Sequence, residues 1–387
     1  MKLLKIRVSG LPLFGGTSEI DFTALQRVTE ENADKMNCLF SNGIQKYYQN
    51  NVLSFIGVNA SGKTTLLKLI TFVCRMLNNE PINRIDCREF LDGVTDKGEV
   101  VLDTFFYAKN NSVNLLHTVI GKKADRFIIM DETLKSKPVS KVVSKKDMFA
   151  PDGFENVMSR DNNEAFLLDD VSIMIAVNKK TNDQLIFTDM LRYTNINQLS
   201  ISEDCPAELI AFFDSSIESL RVKDSGKDTV IRLTFKNKDE IKLNQLSELN
   251  RYLSSGTIKG INTFLNAIKT FKQGGYLIVD ELENHFNHEI VSTLIRFYMD
   301  KKVNPDGAML IFSTHYSELL DEFERNDNIY IVRNRDGITA ENLSTILKRN
   351  DIKKSEAYQS GFLDGTVPMY DAYMDLKKSV IRAHKEG

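Results

Sequence analysis

The sequence predicts an α/β fold with a mostly parallel core sheet, an antiparallel β subdomain and a helical insertion. Near both ends of the chain, apolar runs typical of buried strands alternate with segments of helical periodicity, as expected for a parallel sheet. Between residues 100 and 134, three strand-like runs follow one another closely, which favours antiparallel pairing. We therefore expect an N-terminal lobe over residues 1–134, an insertion over 135–239, and a C-terminal lobe of the same domain over 240–387.

The N-terminal lobe is predicted from its apolar spacing and its glycines. Leu4, Ile6 and Val8 alternate with basic residues, which predicts a strand with one buried face. An apolar run over 51–56 stops at a glycine, which predicts a buried strand that enters a loop. Apolar residues at helical spacing then predict a helix over 64–77.

The insertion and the C-terminal lobe are interpreted from the same patterns. Residues 135–165 are polar and rich in lysine, which predicts a loop, and the best helix of the insertion is expected over 207–220. One or two strands are expected over 228–243. The C-terminal lobe is predicted to contain strands over 276–279, 308–312 and 329–332 and helices over 287–298, 317–323 and 369–383.

The composition is that of a soluble globular protein, with 42% hydrophobic and 27% charged residues in a chain of 387. The net charge of −3 supplies no overall basic field that would attract nucleic acid. The four cysteines form no CxxC pair, and no apolar run approaches the length of a membrane span. We therefore expect a cytoplasmic protein with reduced thiols and no membrane partner.

A phosphate-binding loop is the strongest motif in the chain. The segment 57–64, GVNASGKT, fits the pattern GxxxxGK[ST] and lies between a predicted strand and a predicted helix. In such a loop, backbone N–H groups and the helix N-terminus surround the phosphates, the lysine contacts the terminal phosphates, and the hydroxyl binds Mg²⁺. The predicted nucleotide-binding residues here are Gly57, Asn59, Ala60, Ser61, Gly62, Lys63, Thr64 and Thr65.

Two acids follow the apolar run at 276–279. A buried strand that ends in an acid places the carboxylate at the C-terminal edge of the sheet, where the phosphate loop also lies. Asp280 is therefore expected to hold Mg²⁺ with Thr64, and Glu281 to orient or deprotonate the attacking water. Alone this pattern is weak, because many buried strands end in an acid at a turn.

Two further segments fit the same site. Ser254, Ser255 and Gly256 precede an amphipathic segment, so their hydroxyl and N–H groups could donate to a phosphate at a helix N-terminus. The alternative is a serine that only caps the helix. His315 follows the apolar run 308–312 and resembles the switch histidine of ABC-type ATPases, which implies that it senses the terminal phosphate and positions Glu281. A lone histidine after a strand is, however, more often structural.

In this order, the four elements resemble the ABC-type ATPases of the RecF/Rad50/SMC branch, and more closely the bacterial OLD-like group, also called AAA15. The resemblance covers most of residues 1–134 and 240–387. It implies a P-loop NTPase fold of the ABC-type head, with ATP and Mg²⁺ as cofactors and ATP hydrolysis as the reaction. It also implies a homodimer or higher homo-oligomer, in which Ser254 of one copy completes the site around Lys63 of the other. The usual Q-loop glutamine is absent, because no glutamine occurs between Gln49 and Gln184.

The resemblance further implies a sensor or switch that controls a separately encoded effector, a toxin or a nuclease, in bacterial anti-phage defence. Because few residues follow His315 in this sequence, we expect no fused TOPRIM nuclease. The alternative is a RecF-like DNA-binding ATPase in DNA repair or chromosome maintenance. A lysine cluster without acids could contact DNA phosphates, although a solvated loop is the more common meaning of such a cluster. Its members are Lys135, Lys137, Lys141, Lys145 and Lys146.

Overall fold

The computed structural model describes residues 1–161, 167–192, 199, 205–224, 229–284, 286–363 and 370–386. Its strands are β1 Lys2–Ser9, β2 Ser18–Asp21, β3 Asn37–Ser41, β4 Lys46–Gln49, β5 Val52–Ile56, β6 Val100–Ala108, β7 Ser112–Lys123, β8 Arg126–Pro138, β9 Glu155–Ser159, β10 Phe187–Asp189, β11 Ile217–Asp224, β12 Thr229–Phe235, β13 Ile241–Leu243, β14 Tyr276–Val279, β15 Met309–Thr314, β16 Ile329–Asn334 and β17 Ile338–Asn342. Its helices are α1 Glu30–Ala33, α2 Lys63–Leu77, α3 Lys145–Met148, α4 Met174–Thr181, α5 Ala207–Phe213, α6 Ser255–Gln273, α7 His288–Met299, α8 Leu343–Ile346, α9 Lys354–Gln359 and α10 Tyr370–Glu386.

Six strands form the core sheet, in the order β10-β14-β15-β5-β16-β17. Neighbouring strands run parallel except for the edge pair β16 and β17, which is antiparallel. Both faces of the sheet are covered. Leu53 and Phe55 of β5 belong to the buried cluster that contains α2, whereas Val52 and Ile56 belong to the cluster that contains α6 and α7. The predicted α/β fold with a mostly parallel core sheet is confirmed.

A second sheet is antiparallel throughout, in the order β2-β1-β6-β7-β8-β9. The three strand-like runs of the N-terminal lobe are β6, β7 and β8, so their predicted antiparallel pairing is confirmed. Leu3 of β1 and Phe106 of β6 share a buried cluster with the apolar residues of α2 and with Leu53 of the core sheet. The antiparallel sheet therefore packs on the α2 side of the core sheet.

The insertion is richer in strands than the sequence predicted. β8 extends to Pro138, and β9 pairs with it where a loop was expected. The helix expected over 207–220 ends at Phe213, and its last residues belong to β11, which pairs with β12. The side chain of Asp214 accepts hydrogen bonds from the N–H and hydroxyl of Ser216, which forms a turn that stops the helix. The helical insertion is thus corrected to a mixed segment, whose strand β10 joins the core sheet.

The C-terminal lobe follows the predicted order, but it also contains the short helices α8 and α9, which were not predicted, and it differs in two further elements. The segment expected to form a helix over 317–323 is a 3₁₀ turn, Ser317–Glu322. The strand β17 was not predicted, because its alternation of polar and apolar residues is short and follows a turn. Among the described residues, no helix is long and apolar enough to cross a membrane.

The lysine cluster is largely engaged within the chain. Lys137 is 1% exposed, and its Nζ donates to the carbonyl oxygen of Asp147 at 2.8 Å. Lys145 donates to the carbonyl oxygen of Ala24, and burial lowers its pKa to about 8. Lys141 forms an ion pair with Glu155 at 2.9 Å. Lys137 and Lys145 therefore hold the segment after β8 in place, whereas Lys135, Lys141 and Lys146 are exposed. The expectation of a solvated loop is thus corrected for the first two lysines only, and these contacts give no support to a DNA contact.

Candidate nucleotide site

The phosphate loop connects β5 to α2 and is shaped by two glycines. Gly62 has a φ of +101°, which residues with side chains rarely adopt, and a Cβ there would lie 2.6 Å from Ile338. A Cβ on Gly57 would lie 2.4 Å from the carbonyl oxygen of Val332. Gly62 is also the N-cap residue of α2. Because glycine has no side chain, it makes no capping hydrogen bond to the N–H groups of the first turn. These N–H groups form an anion-binding end.

Lys63 begins α2 and lies under the loop. It is 5% exposed, and its Nζ donates to the carbonyl oxygens of Gly57 at 2.8 Å and Val58 at 3.1 Å. Burial lowers the pKa of Lys63, while the nearby carboxylates of Asp280, Glu281 and Glu283 act in the opposite direction. A phosphate would offer this ammonium group a charged acceptor in place of neutral carbonyls, which makes a stronger hydrogen bond.

Asp280 follows β14 and is held by two hydroxyl groups. The Oγ1 of Thr64 donates to one carboxylate oxygen at 2.7 Å, and the Oγ of Ser313 donates to the other. A hydroxyl and a carboxylate from two segments are therefore in direct contact, and both are hard oxygen ligands of the kind that Mg²⁺ prefers. Among the described residues, no group of three or more His, Cys, Asp and Glu could hold a metal by itself. The donor set thus fits an ion that takes its other ligands from phosphate and water.

Glu281 and His315 lie together at the C-terminal edge of the core sheet. The Nε2 of His315 is 3.5 Å from a carboxylate oxygen of Glu281, and its Nδ1 is 3.3 Å from the Nζ of Lys63. Glu281 has a φ of 47°, an uncommon value for a residue with a side chain, and its N–H donates to the Oγ of Ser313 at 2.7 Å. Because the Glu281 side chain stays 42% exposed, it can reach a water molecule in the cleft.

Two residues of this site were not assigned these positions from the sequence. Glu283 is 6% exposed, and one of its carboxylate oxygens accepts from the backbone N–H of His315 at 2.5 Å. Ser313, at the end of β15, contacts both Asp280 and Glu281. The available signals were a second acid close to Glu281 and a polar residue in an apolar strand. Neither pattern indicates its partner, because the contacts join separate strands.

The cleft has a volume of about 730 Å³. It is lined by Pro12, Leu13, Asn59, Ala60, Ser61, Gly62, Lys63, Thr64, Thr65, Glu281, His315, Asn334, Asp336, Gly337 and Ile338. The structure therefore brings the phosphate loop together with Glu281 and His315, and Asp280 adjoins them through Thr64. The turn at 12–13 and the hairpin at 334–338 were not predicted to belong to the site.

The segment Ser254–Gly256 lies elsewhere. Ser254 is the N-cap residue of α6, and its Oγ accepts from the N–H of Thr257 at 3.0 Å, so the predicted capping alternative is observed. Ser254 is exposed, and Ser255 and Gly256 are half-buried. The described residues that line the cleft do not include these three. Their predicted contact with a phosphate therefore stays a prediction and requires a nucleotide held by another copy.

No protein-family model matches this sequence, and no curated protein is significantly similar to it. The fold and the site define a mixed α/β protein with a cleft lined by the glycine-containing loop after β5, by Glu281 and by His315. What the chain does must be inferred from that cleft.

Proposed function

We propose that the chain is a Mg²⁺-dependent ATPase of the ABC type, in which two copies share their nucleotide sites. The observation that carries the proposal is the set of groups that line this cleft or adjoin it through Thr64. It combines an anion-binding helix end, the Lys63 ammonium group, a contact between Thr64 and Asp280, and a contact between Glu281 and His315. This combination would support phosphoryl transfer to water. Its positive groups would stabilise the negative charge of the phosphates, and its carboxylate would accept the proton of the attacking water.

Each side chain has a role in this proposal. Lys63 and the N-terminus of α2 bind the β- and γ-phosphates. Thr64 and Asp280 would hold a Mg²⁺ ion, which neutralises phosphate charge when bound. Glu281 accepts a proton from the attacking water. His315 contacts both Glu281 and Lys63, so it is placed to link the state of the terminal phosphate to the orientation of the base.

The exposed start of α6 supports a shared site. Its serine and glycine N–H groups form a second anion-binding end, which lies outside the cleft of its own chain. A second copy that presents this end to the γ-phosphate would close the cleft only when ATP is bound. Because closure would depend on the nucleotide, the pair could act as a switch. By resemblance, we extend the proposal to a cytoplasmic switch that controls a separately encoded toxin or nuclease in anti-phage defence.

The proposal is tested with the variant Glu281→Gln, which keeps the shape of the side chain and removes the base. We expect turnover to fall by about 10²-fold or more with ATP binding retained, because general-base catalysis contributes on this order. Light scattering after size exclusion should show the mass change from one chain of 44.1 kDa to two when Mg-ATP is added.

Two further variants serve as controls. Lys63→Ala added to Glu281→Gln should remain a single chain with ATP, because it lacks the cation that holds the phosphates. Glu289→Gln, at an exposed position at the start of α7, should turn over ATP as the wild type does. Normal turnover by Glu281→Gln would remove the base role from this residue. A single-chain mass with saturating Mg-ATP would contradict the shared site.

A further inference from the structure

The cleft extends well beyond the residues that bind phosphate. The proposed function assigns roles at the phosphate loop and at the acids after β14, but it leaves the turn at 12–13 and the hairpin between β16 and β17 without a role. Both segments line the same cleft. A cleft of about 730 Å³ is within the range that holds a whole small-molecule ligand.

The hairpin is fixed directly against the phosphate loop. The Nδ2 of Asn334 donates to the carbonyl oxygen of Ala60 at 3.2 Å. Ile338 packs so closely on Gly62 that a Cβ on this glycine would lie 2.6 Å from its side chain. The hairpin and the loop thus form one continuous wall of the cleft.

The turn at 12–13 is fixed in the same way against the hairpin. The N–H of Ile338 donates to the carbonyl oxygen of Leu13 at 2.8 Å, and the N–H of Gly15 donates to the carbonyl oxygen of Ile338 at 3.1 Å. A Cβ on Gly337 would lie 2.4 Å from the nitrogen of Gly15, so the two backbones touch there. Leu13 nevertheless keeps 49% of its surface exposed, and it lines the cleft. The cleft therefore presents to a ligand an apolar side chain whose backbone is held by hydrogen bonds.

The strand order gives the direction of a bound nucleotide. β5 lies between β15 on one side and β16 on the other. The groups proposed to act on the γ-phosphate follow β14 and β15, so the γ-phosphate lies on that side of the phosphate loop. The hairpin follows β16, so it lies on the opposite side. Asp336 of the hairpin is an exposed acid, which repels phosphates and favours the same direction.

We propose that the turn at 12–13 and the hairpin at 334–338 form the nucleoside subsite of the cleft, with Leu13 as the apolar surface on which the base lies. This inference rests on the proposed function, because it takes the phosphate loop as the triphosphate site. Leu13 contributes contact area to the purine, and the hairpin forms the adjoining wall of the subsite. The subsite binds the nucleoside part and leaves the triphosphate contacts unchanged.

The test compares two ligands that differ only in the nucleoside, Mg-ATP and Mg²⁺ with inorganic tripolyphosphate. Calorimetric titration would measure the affinity of both for the wild type and for Leu13→Ala. We expect the variant to bind ATP about threefold to tenfold more weakly, since it loses part of one apolar side chain, and to bind tripolyphosphate as the wild type does. Ile44→Ala is the matched control, because Ile44 is 89% exposed in the turn between β3 and β4. This control should leave both affinities unchanged.

Three results separate the possible failures. Unchanged ATP affinity in Leu13→Ala, or an equal loss for both ligands, would overturn the nucleoside subsite and leave the ATPase proposal standing. Failure of the wild type to bind either ligand would overturn the proposed function itself. As a second measurement, a purine-azido ATP should on illumination label peptides that contain residues 11–15 or 334–338. Labelling confined to other peptides would also overturn the subsite.

Discussion

Three ionisable side chains in the cleft form a continuous chain of contacts. His315 lies between Lys63 and Glu281, and each of its ring nitrogens faces one of them. A change in the position of the ammonium group therefore reaches the carboxylate through a single imidazole ring. Through this connection, a phosphate that binds Lys63 would change the position of Glu281, the proposed base.

Glu283 accepts a hydrogen bond from the backbone N–H of His315, but it is not among the residues that line the cleft. A positioning role for this single residue can therefore be tested. We expect Glu283→Ala to lower kcat by about tenfold with little change in KM, since it removes one buried hydrogen bond that positions the imidazole. Glu283→Gln keeps an oxygen that accepts from the same N–H, so it should restore most of kcat. Steady-state kinetics of the three proteins would check this.

The comparison between Glu283→Ala and Glu283→Gln distinguishes a positioning role from a base. Equal losses of kcat in the two variants would show that the negative charge matters, and the base role would then be shared with Glu283. Equal thermal unfolding of both variants would confirm that the kinetic difference is local. A kcat unchanged in Glu283→Ala would remove the residue from the mechanism.

At the scale of the element, the antiparallel sheet contains a pair that responds to pH. Asp103 of β6 lies opposite His117 of β7, and the Nδ1 of His117 is 2.6 Å from a carboxylate oxygen of Asp103. The hydrogen bond to Asp103 raises the pKa of His117 above its usual value of 6.5. The folded state therefore binds the proton more tightly than the unfolded state does. This stabilisation is complete below the unfolded pKa and is lost as the pH rises through the folded pKa.

We therefore expect the wild type to exceed His117→Gln in free energy of unfolding near pH 5 and to lose that advantage near pH 9. The difference should stay below about 1 kcal/mol, because the His117 side chain is 36% exposed and solvent screens the pair. Urea unfolding at the two pH values would measure it. A difference that is the same at both, or larger at the higher pH, would contradict the assignment.

The elements that could be predicted from sequence are those with a strong local pattern. The run at 276–279 is apolar throughout and the run at 51–56 is mostly apolar, and each forms a buried strand in the interior of the core sheet. The predicted helix over 207–220 was wrong in its second half, because the apolar residues there fit the period of a helix and that of a strand. The turn at Asp214 ends the helix before them. β10 contains only three residues, and its place beside β14 depends on a distant strand. Short elements of this kind carry too little pattern to be found in advance.

The candidate site divides in the same way. The phosphate loop, Asp280 and Glu281 were predicted because each follows a recognisable strand, and the structure places them at one edge of the sheet. The positions of Ser313, Glu283 and the hairpin at 334–338 depend on contacts between strands that are far apart in the chain. Local spacing does not contain that information.

At the scale of the whole molecule, the proposed dimer makes a prediction at the start of α6. Ser255→Glu places a carboxylate in the first turn of α6. A negative charge there interacts favourably with the helix dipole, so the variant should still fold. The same charge would repel the γ-phosphate of the other copy. In the Glu281→Gln background, we expect this variant to bind ATP in its own cleft but to remain a single chain.

Light scattering after size exclusion would check the mass, and titration of ATP would check the cleft. Ser247→Glu is the control, because Ser247 is exposed on the 3₁₀ turn that precedes α6. This control should still pair when ATP is added. If Ser255→Glu paired as readily, the start of α6 would have no part in the contact between copies.

The position of β5 in the core sheet also determines when this protein can become functional during its synthesis. β5 precedes the phosphate loop, but its two neighbours are β15 and β16, which lie near the other end of the chain. A ribosome-bound chain that has not reached β16 therefore exposes the edge of an apolar strand, which is prone to aggregate. Glu281, His315 and the hairpin wall are also synthesised late, because all of them follow β13 in the chain. The edge of β5 therefore stays unpaired in the nascent chain until β15 and β16 have both been synthesised.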